Sequence, residues 1–128
     1  MSRILVVDDD PDFCESMRLV LVSAGHDVVT ATSGQQALES ALLAPPDLIL
    51  LDVMMQGILD GLSAAHAIEE NRALHGIPII MVSSIANTPL AQYFPTDEYL
   101  PIDAWFSKPV PPETLLEAVG RLLHTKAA

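Results

Sequence analysis

The chain has 128 residues, half of them apolar, which suits a single domain with a real core. Seventeen acidic against six basic residues give a formal net charge of −11, which argues against direct binding to nucleic acid or to an anionic membrane surface. One cysteine, Cys14, excludes an internal disulfide and fits a small buried helix residue in a reducing compartment. No apolar run approaches the ~20 residues of a membrane span, and the start of the chain lacks the long apolar stretch of a signal peptide, so a cytoplasmic setting is expected.

Ile4 to Val7 is near-continuously apolar, the pattern of a strand buried on both faces. Asp10-Pro11 supplies an N-cap and a proline at the first helical position. Phe13, Met17, Val20, Leu21 and Ala24 follow at helical spacing, and Gly25 ends the helix. Asp27 to Ala31 is a second, weaker strand. Ser33 caps a helix with Ala37, Leu38, Ala41 and Leu42 on its apolar face, closed by Pro45-Pro46. Leu48 to Leu51 is the third strand and ends directly on Asp52.

A loop with Gly57 and Gly61 then leads into a helix predicted over about Leu62 to Leu74. Pro78 to Val82 is the fourth strand, ending on Ser83 and Ser84, and Ala104 to Ser107 is a short fifth, ending on Lys108-Pro109. Between them, Pro89, Pro95 and Pro101 break the stretch from Ile85 to Asp103, which predicts a short helix and a loop at most. Pro111-Pro112 opens a last helix with Leu115, Leu116, Val119, Leu122 and Leu123 inward, ending a few residues before the C-terminus. This alternation indicates βαβ units with right-handed crossovers around a parallel sheet. With no repeat, linker or low-complexity tract, residues 1–128 are expected to form one domain.

In an open α/β sheet, ligands bind outside the carboxyl ends of the strands. At those ends lie Asp8, Asp9 and Asp10 (first strand), Asp52 (third), Ser83 (fourth) and Lys108 (fifth). Converging carboxylates repel unless a cation joins them, and a hard oxygen-ligated ion such as Mg²⁺, or Mn²⁺ in its place, is the natural choice. The hydroxyl and the ammonium are then left to meet an anion, which makes a phosphoryl-transfer site. Asp52, single and flanked by apolar residues, is the candidate nucleophile. Asp10 reads as the N-cap rather than a ligand, and Asp12 as a solvated carboxylate in the first helical turn. His26, His66, His75 and His124 lack metal-ligand spacing.

The runs Ile4-Leu5-Val6-Val7-Asp8-Asp9-Asp10, Asp52-Val53-Met54-Met55, Ser83-Ser84 and Lys108-Pro109 resemble the receiver domain of two-component response regulators. The resemblance covers essentially the whole chain in order and spacing. It implies a flavodoxin-like (βα)5 three-layer fold with sheet order 2-1-3-4-5, here with a short or irregular fourth helix. It implies phosphorylation of Asp52 from a sensor histidine kinase or histidine phosphotransfer protein, with Mg²⁺ held by Asp9, Asp52 and the Met54 carbonyl, and by Asp8 through water. Ser83 and Lys108 would contact phosphoryl oxygens, and Trp105 falls at the switch aromatic, bulkier than the usual tyrosine or phenylalanine. Such a domain is a signalling phosphoacceptor rather than an enzyme, read by a downstream protein or an output domain outside this chain, as a monomer or weak homodimer.

The chain departs from the family pattern at Gln56, where proline is usual, in a longer loop from Gly57 to Gly61, and in a longer, proline-broken stretch before Lys108. Apolar Met54 and Ile85, at positions flanking the acyl phosphate, predict slow self-dephosphorylation. Two other functions remain to be weighed: a receiver-like module that binds partners unphosphorylated, and a haloacid-dehalogenase-type phosphatase. The phosphatase needs an acidic pair after the lysine, where only Glu113 and Glu117 follow, on the last helix. An EF-hand reading of Asp8, Asp10 and Asp12 fails because Phe13 and Leu19 stand where glycine and glutamate are required.

Overall fold

Five strands and four helices follow one another along the described residues: β1 (Arg3–Val7), α1 (Pro11–Ser23), β2 (Asp27–Ala31), α2 (Gly34–Leu43), β3 (Leu48–Asp52), α3 (Asp60–Glu70), β4 (Ile79–Ser83), β5 (Ala104–Ser107) and α4 (Pro112–Ala127). The computed structural model describes residues 2–52, 60–83, 103–107 and 110–127. All strands are parallel, in the order β2-β1-β3-β4-β5. This is the expected flavodoxin-like order. The expected short fourth helix, with Pro89, Pro95 and Pro101, lies outside the described residues.

Alternation along each strand divides the core into two layers, because successive side chains leave a strand on opposite faces. Ile4, Val6, Leu48, Leu50, Ile80 and Val82 pack with Cys14, Met17 and Leu21 of α1 and Leu115, Ala118 and Val119 of α4. Leu5, Val7, Ile49, Leu51, Ile79 and Met81 pack on the other face with Ala37 and Ala41 of α2 and Ala64, Ala65 and Ile68 of α3. All five residues of β3 are buried, as befits the central strand. Each such leucine or isoleucine contributes on the order of 1.5–3 kcal/mol relative to an exposed position.

The helix boundaries follow local chemistry. Asp10 caps α1, its carboxylate accepting the Asp12 N–H, with Pro11 at the first helical position. Gly25 takes φ +96° just beyond α1, a conformation natural to glycine. Ser33 caps α2 by accepting the Gln36 N–H at 3.1 Å.

Three expectations need correction. First, α3 begins at Asp60 and stops at Glu70 rather than running from Leu62 to Leu74. Asn71 diverts the chain: its Oδ1 accepts the Ala73 N–H at 2.9 Å and its carbonyl takes the N–H groups of Leu74 and His75. Second, Leu42 is 46% exposed and Ala24 is exposed, so neither belongs to the core despite helical spacing. Ala41, next to Leu42, is buried in the core, so the helix turns its sheet-facing side away at Leu42. Third, α4 continues to Ala127, farther than expected.

At the amino edge of the sheet two aspartates repeat one arrangement. Asp47, just before β3, donates its N–H to the Arg3 carbonyl (2.7 Å) while its Oδ2 accepts the Arg3 N–H (2.8 Å). Asp103, just before β5, does the same with Ile79, at 2.7 and 2.8 Å.

Candidate functional site

The carboxyl ends of β1 and β3 carry the candidate chemistry. In the register of these strands Val7 lies beside Leu51, so the next step brings Asp8 level with Asp52. Asp8 is fully buried and Asp52 nearly so, while Asp9 is exposed. One carboxylate oxygen from each of the three lies within 4.8 Å of the others. Two buried carboxylates and a solvent-facing third make a pocket of hard oxygen donors open on one side.

The β1–α1 turn that aims these groups is built by side chains acting on backbone. Asp8 Oδ1 accepts the Asp10 N–H at 2.9 Å, and Asp10 Oδ1 accepts the Asp12 N–H at 3.0 Å. The two bonds chain one Asx turn into the helix cap. From below, the Asp8 N–H reaches the Ala31 carbonyl at 3.1 Å, and the Cys14 thiol donates to the Asp8 carbonyl at 3.3 Å. The cysteine is therefore a buried packing and hydrogen-bonding residue, as expected for its helix position. Its link to Asp8 had no sequence signal, because it joins residues on different elements.

The donor set fits a small hard divalent cation. Ligands of one Mg²⁺ at about 2.1 Å lie no more than about 4.2 Å apart. The 4.8 Å envelope of the three aspartates is close to that limit, leaving room for one of them to engage through water. Asp10 is an N-cap outside this cluster, and Asp12 is an exposed first-turn carboxylate. Of the histidines, His75 lies against Glu69, with Nδ1 at 3.1 Å from its carboxylate, and none joins a metal cluster among the described residues.

The other candidates are placed only in part. Ser83 ends β4, one residue beyond Val82, which lies beside Asp52. Ser83 in turn lies beside Ser107 on β5, and Lys108 follows Ser107 in the chain. Met54, Gln56, Ser84, Ile85, Lys108 and Pro109 lie outside the described residues. Trp105, beside Met81 on β5, is half-buried against the layer formed with α2 and α3.

No helix among the described residues is long and apolar enough to cross a membrane. Residues 4–120 match the response regulator receiver domain family. Among curated proteins, the chain is 39% identical over 87 residues to the DNA-binding response regulator MtrA of Mycolicibacterium smegmatis, covering 68% of this chain and 36% of that protein. It is 32% identical over 127 residues to the dual master transcriptional regulator RpaA of Synechocystis, covering 97% of this chain and 50% of that protein. The chain thus spans between a third and a half of the length of these relatives. Among solved structures, the chemotaxis response regulator CheY4 of Vibrio cholerae superposes with a TM-score of 0.82 at 30% identity, over 95% of this chain and 98% of that one. A receiver domain of a histidine kinase from Syntrophus aciditrophicus reaches 0.85 at 26% identity, over 98% and 92%. Sheet order, acidic strand ends and these likenesses agree: the chain belongs to the response regulator receiver domains of two-component signalling.

Proposed function

We propose that this receiver is a phosphoacceptor in which Asp52 takes a phosphoryl group from a phosphohistidine, from either a sensor histidine kinase or a histidine phosphotransfer protein. The observation that carries the reading is the buried Asp52 carboxylate, central in the sheet and within 4.8 Å of the carboxylates of Asp8 and Asp9. An Asp52 oxygen attacks phosphorus in line and forms an acyl phosphate bond. The phosphorus–nitrogen bond breaks, and its electron pair stays with the imidazole nitrogen, which takes up a proton.

Asp9, Asp52 and the Met54 carbonyl, with Asp8 through water, would hold Mg²⁺ or Mn²⁺, which when bound neutralises charge on the phosphoryl oxygens. Ser83 and Lys108 would contact those oxygens from β4 and β5. Asp8, held by the Asp10 N–H, keeps a fixed orientation through the transfer. Trp105, half-buried on β5, is suited to report the change at Ser83 to the face that partners read.

We read residues 1–128 as one receiver domain, acting as a signalling acceptor rather than a turnover enzyme, in the cytoplasm, where a free cysteine stays reduced. The relatives named as DNA-binding support an output domain or downstream protein as the reader, since this chain carries a formal net charge of −11. A monomer or weak homodimer completes the picture, with a phosphorylated state lasting many minutes because Met54 and Ile85 are apolar.

The test is incubation with acetyl phosphate and Mg²⁺ followed by intact-mass measurement. One added phosphoryl group, absent in Asp52→Asn, is expected. No adduct on the wild-type chain overturns the reading in favour of an unphosphorylated binding module, and turnover of phosphate esters would point to a phosphatase.

A further inference from the structure

We propose that Asp47 and Asp103, at the edge of the sheet opposite the acidic cluster, are positioning residues that set the spacing of the phosphoryl-transfer groups. The inference rests on the reading of Asp52 as phosphoacceptor. Each aspartate precedes a strand by one residue and holds the first residue of a neighbouring strand twice, by N–H to carbonyl and by carboxylate to N–H. The side-chain oxygen thereby supplies a ladder acceptor one step before the strand begins. The distances are the same at both junctions, 2.7 and 2.8 Å.

What matters is which strands are joined. Asp47 ties β3 to β1, the strands whose far ends present Asp52 and Asp8. Asp103 ties β5 to β4, the strands whose far ends are Ser107, followed by Lys108, and Ser83. The other two junctions begin on backbone contacts: the Asp27 N–H on the Ser2 carbonyl, and the Ile49 N–H on the Pro78 carbonyl.

Strands of four and five residues carry few ladder bonds to resist slippage. A one-residue slip moves a strand end by about 3.3 Å and turns every side chain to the other face. Such a slip between β1 and β3 would separate Asp8 from Asp52 by most of the 4.8 Å envelope. Between β4 and β5 it would shift the chain ahead of Lys108 relative to Ser83 and send Trp105 into the opposite layer. The two clamps therefore act on different halves of the site, one on the metal carboxylates and one on the phosphoryl contacts.

The test compares Asp47→Ala, Asp47→Asn, Asp103→Ala and Asp103→Asn in the full chain. Mg²⁺ affinity is measured by calorimetry, and adduct formation with acetyl phosphate is followed at saturating Mg²⁺. Asp47→Ala is expected to weaken Mg²⁺ binding about three- to tenfold, the usual net reach of one hydrogen bond. Asp103→Ala is expected to leave Mg²⁺ affinity within about twofold while slowing phosphorylation by a comparable three- to tenfold factor. The asparagine variants restore both, since an amide oxygen still accepts the N–H.

If an alanine variant does not fold, the glutamate variant at the same position, which overreaches by one methylene, must show the same split. Equal losses in both readouts at both positions, no loss in either, or failure of asparagine to restore overturns the proposal. The wild-type chain run alongside separates the two readings: absence of its adduct overturns the phosphoacceptor role, whereas a wild-type adduct with unsplit variants overturns the positioning role alone.

Discussion

Replacing Asp8 by asparagine should strengthen the metal-free fold while weakening the site. Asp8 and Asp52 are both buried and their nearest oxygens lie within 4.8 Å, with Asp9 completing the cluster from the solvent side. Two unit charges at that distance repel by about 3.5 kcal/mol at an effective dielectric of about 20. The Asp9 contribution is far smaller because water and salt screen an exposed group. The asparagine oxygen can still accept the Asp10 N–H, so the turn that Asp8 organises survives the change.

Allowing for relaxation and for the other interactions that both carboxylates make, Asp8→Asn is expected to raise unfolding stability in a chelator by about 1–3 kcal/mol. In Mg²⁺ the order should reverse or close. A wild-type chain at a hundredfold excess over its dissociation constant gains about 2.7 kcal/mol, and the variant gains much less. Urea unfolding followed by circular dichroism, in chelator and in Mg²⁺, measures both quantities. A variant no more stable than wild type in chelator would refute the claim that mutual repulsion of these carboxylates weighs on the empty site.

Leu50→Ala, fully inside the layer formed with α1 and α4, is expected to cost about 2–5 kcal/mol in urea unfolding, with a loss below 1 kcal/mol contradicting the packing described. Ser33→Ala removes the oxygen that accepts the Gln36 N–H and should cost about 1 kcal/mol in the same assay. Gly25→Ala should cost about 1 kcal/mol through its φ of +96° alone, since an added Cβ would meet nothing within 4 Å. Glu15 titrates below the usual carboxylate range because Arg18 hydrogen-bonds it and adds its charge. Its small stabilising contribution is thus present above the ordinary carboxylate pKa and lost as pH falls through the depressed one. Carbon-13 titration of Arg18→Gln should show the Glu15 value rising, with little change in overall stability because both side chains meet solvent.

The elements were legible because their signals are local. Proline after Asp10, serine before the second helix and glycine at the end of the first act through their own backbone and that of near neighbours. A near-continuous apolar run marked β1 as a strand covered on both faces, and β3 shares that burial in the structure. The strand order came from the resemblance to receiver domains, as did the choice of Asp9 and Asp52 as direct metal ligands, whereas their convergence followed from the strand ends. Where local signals competed, the reading slipped: apolar spacing carried the third helix past Glu70, although Asn71 holds its own turn.

Only the tertiary structure decided which carboxylates are buried. Asp8 and Asp9 are adjacent in sequence, yet one is enclosed and the other faces water. Only the assembled sheet shows that Asp47 holds Arg3 across 44 positions and Asp103 holds Ile79 across 24. It likewise leaves Leu42 in solvent while burying Ala41 beside it. The physical reason is common to all three. Residue type and spacing set what a segment can form, whereas burial and long-range hydrogen bonds depend on which other segments come to lie against it. For Asp52, the sequence by itself supplied a carboxylate at the end of an apolar strand, and the sheet brought two more within reach of it.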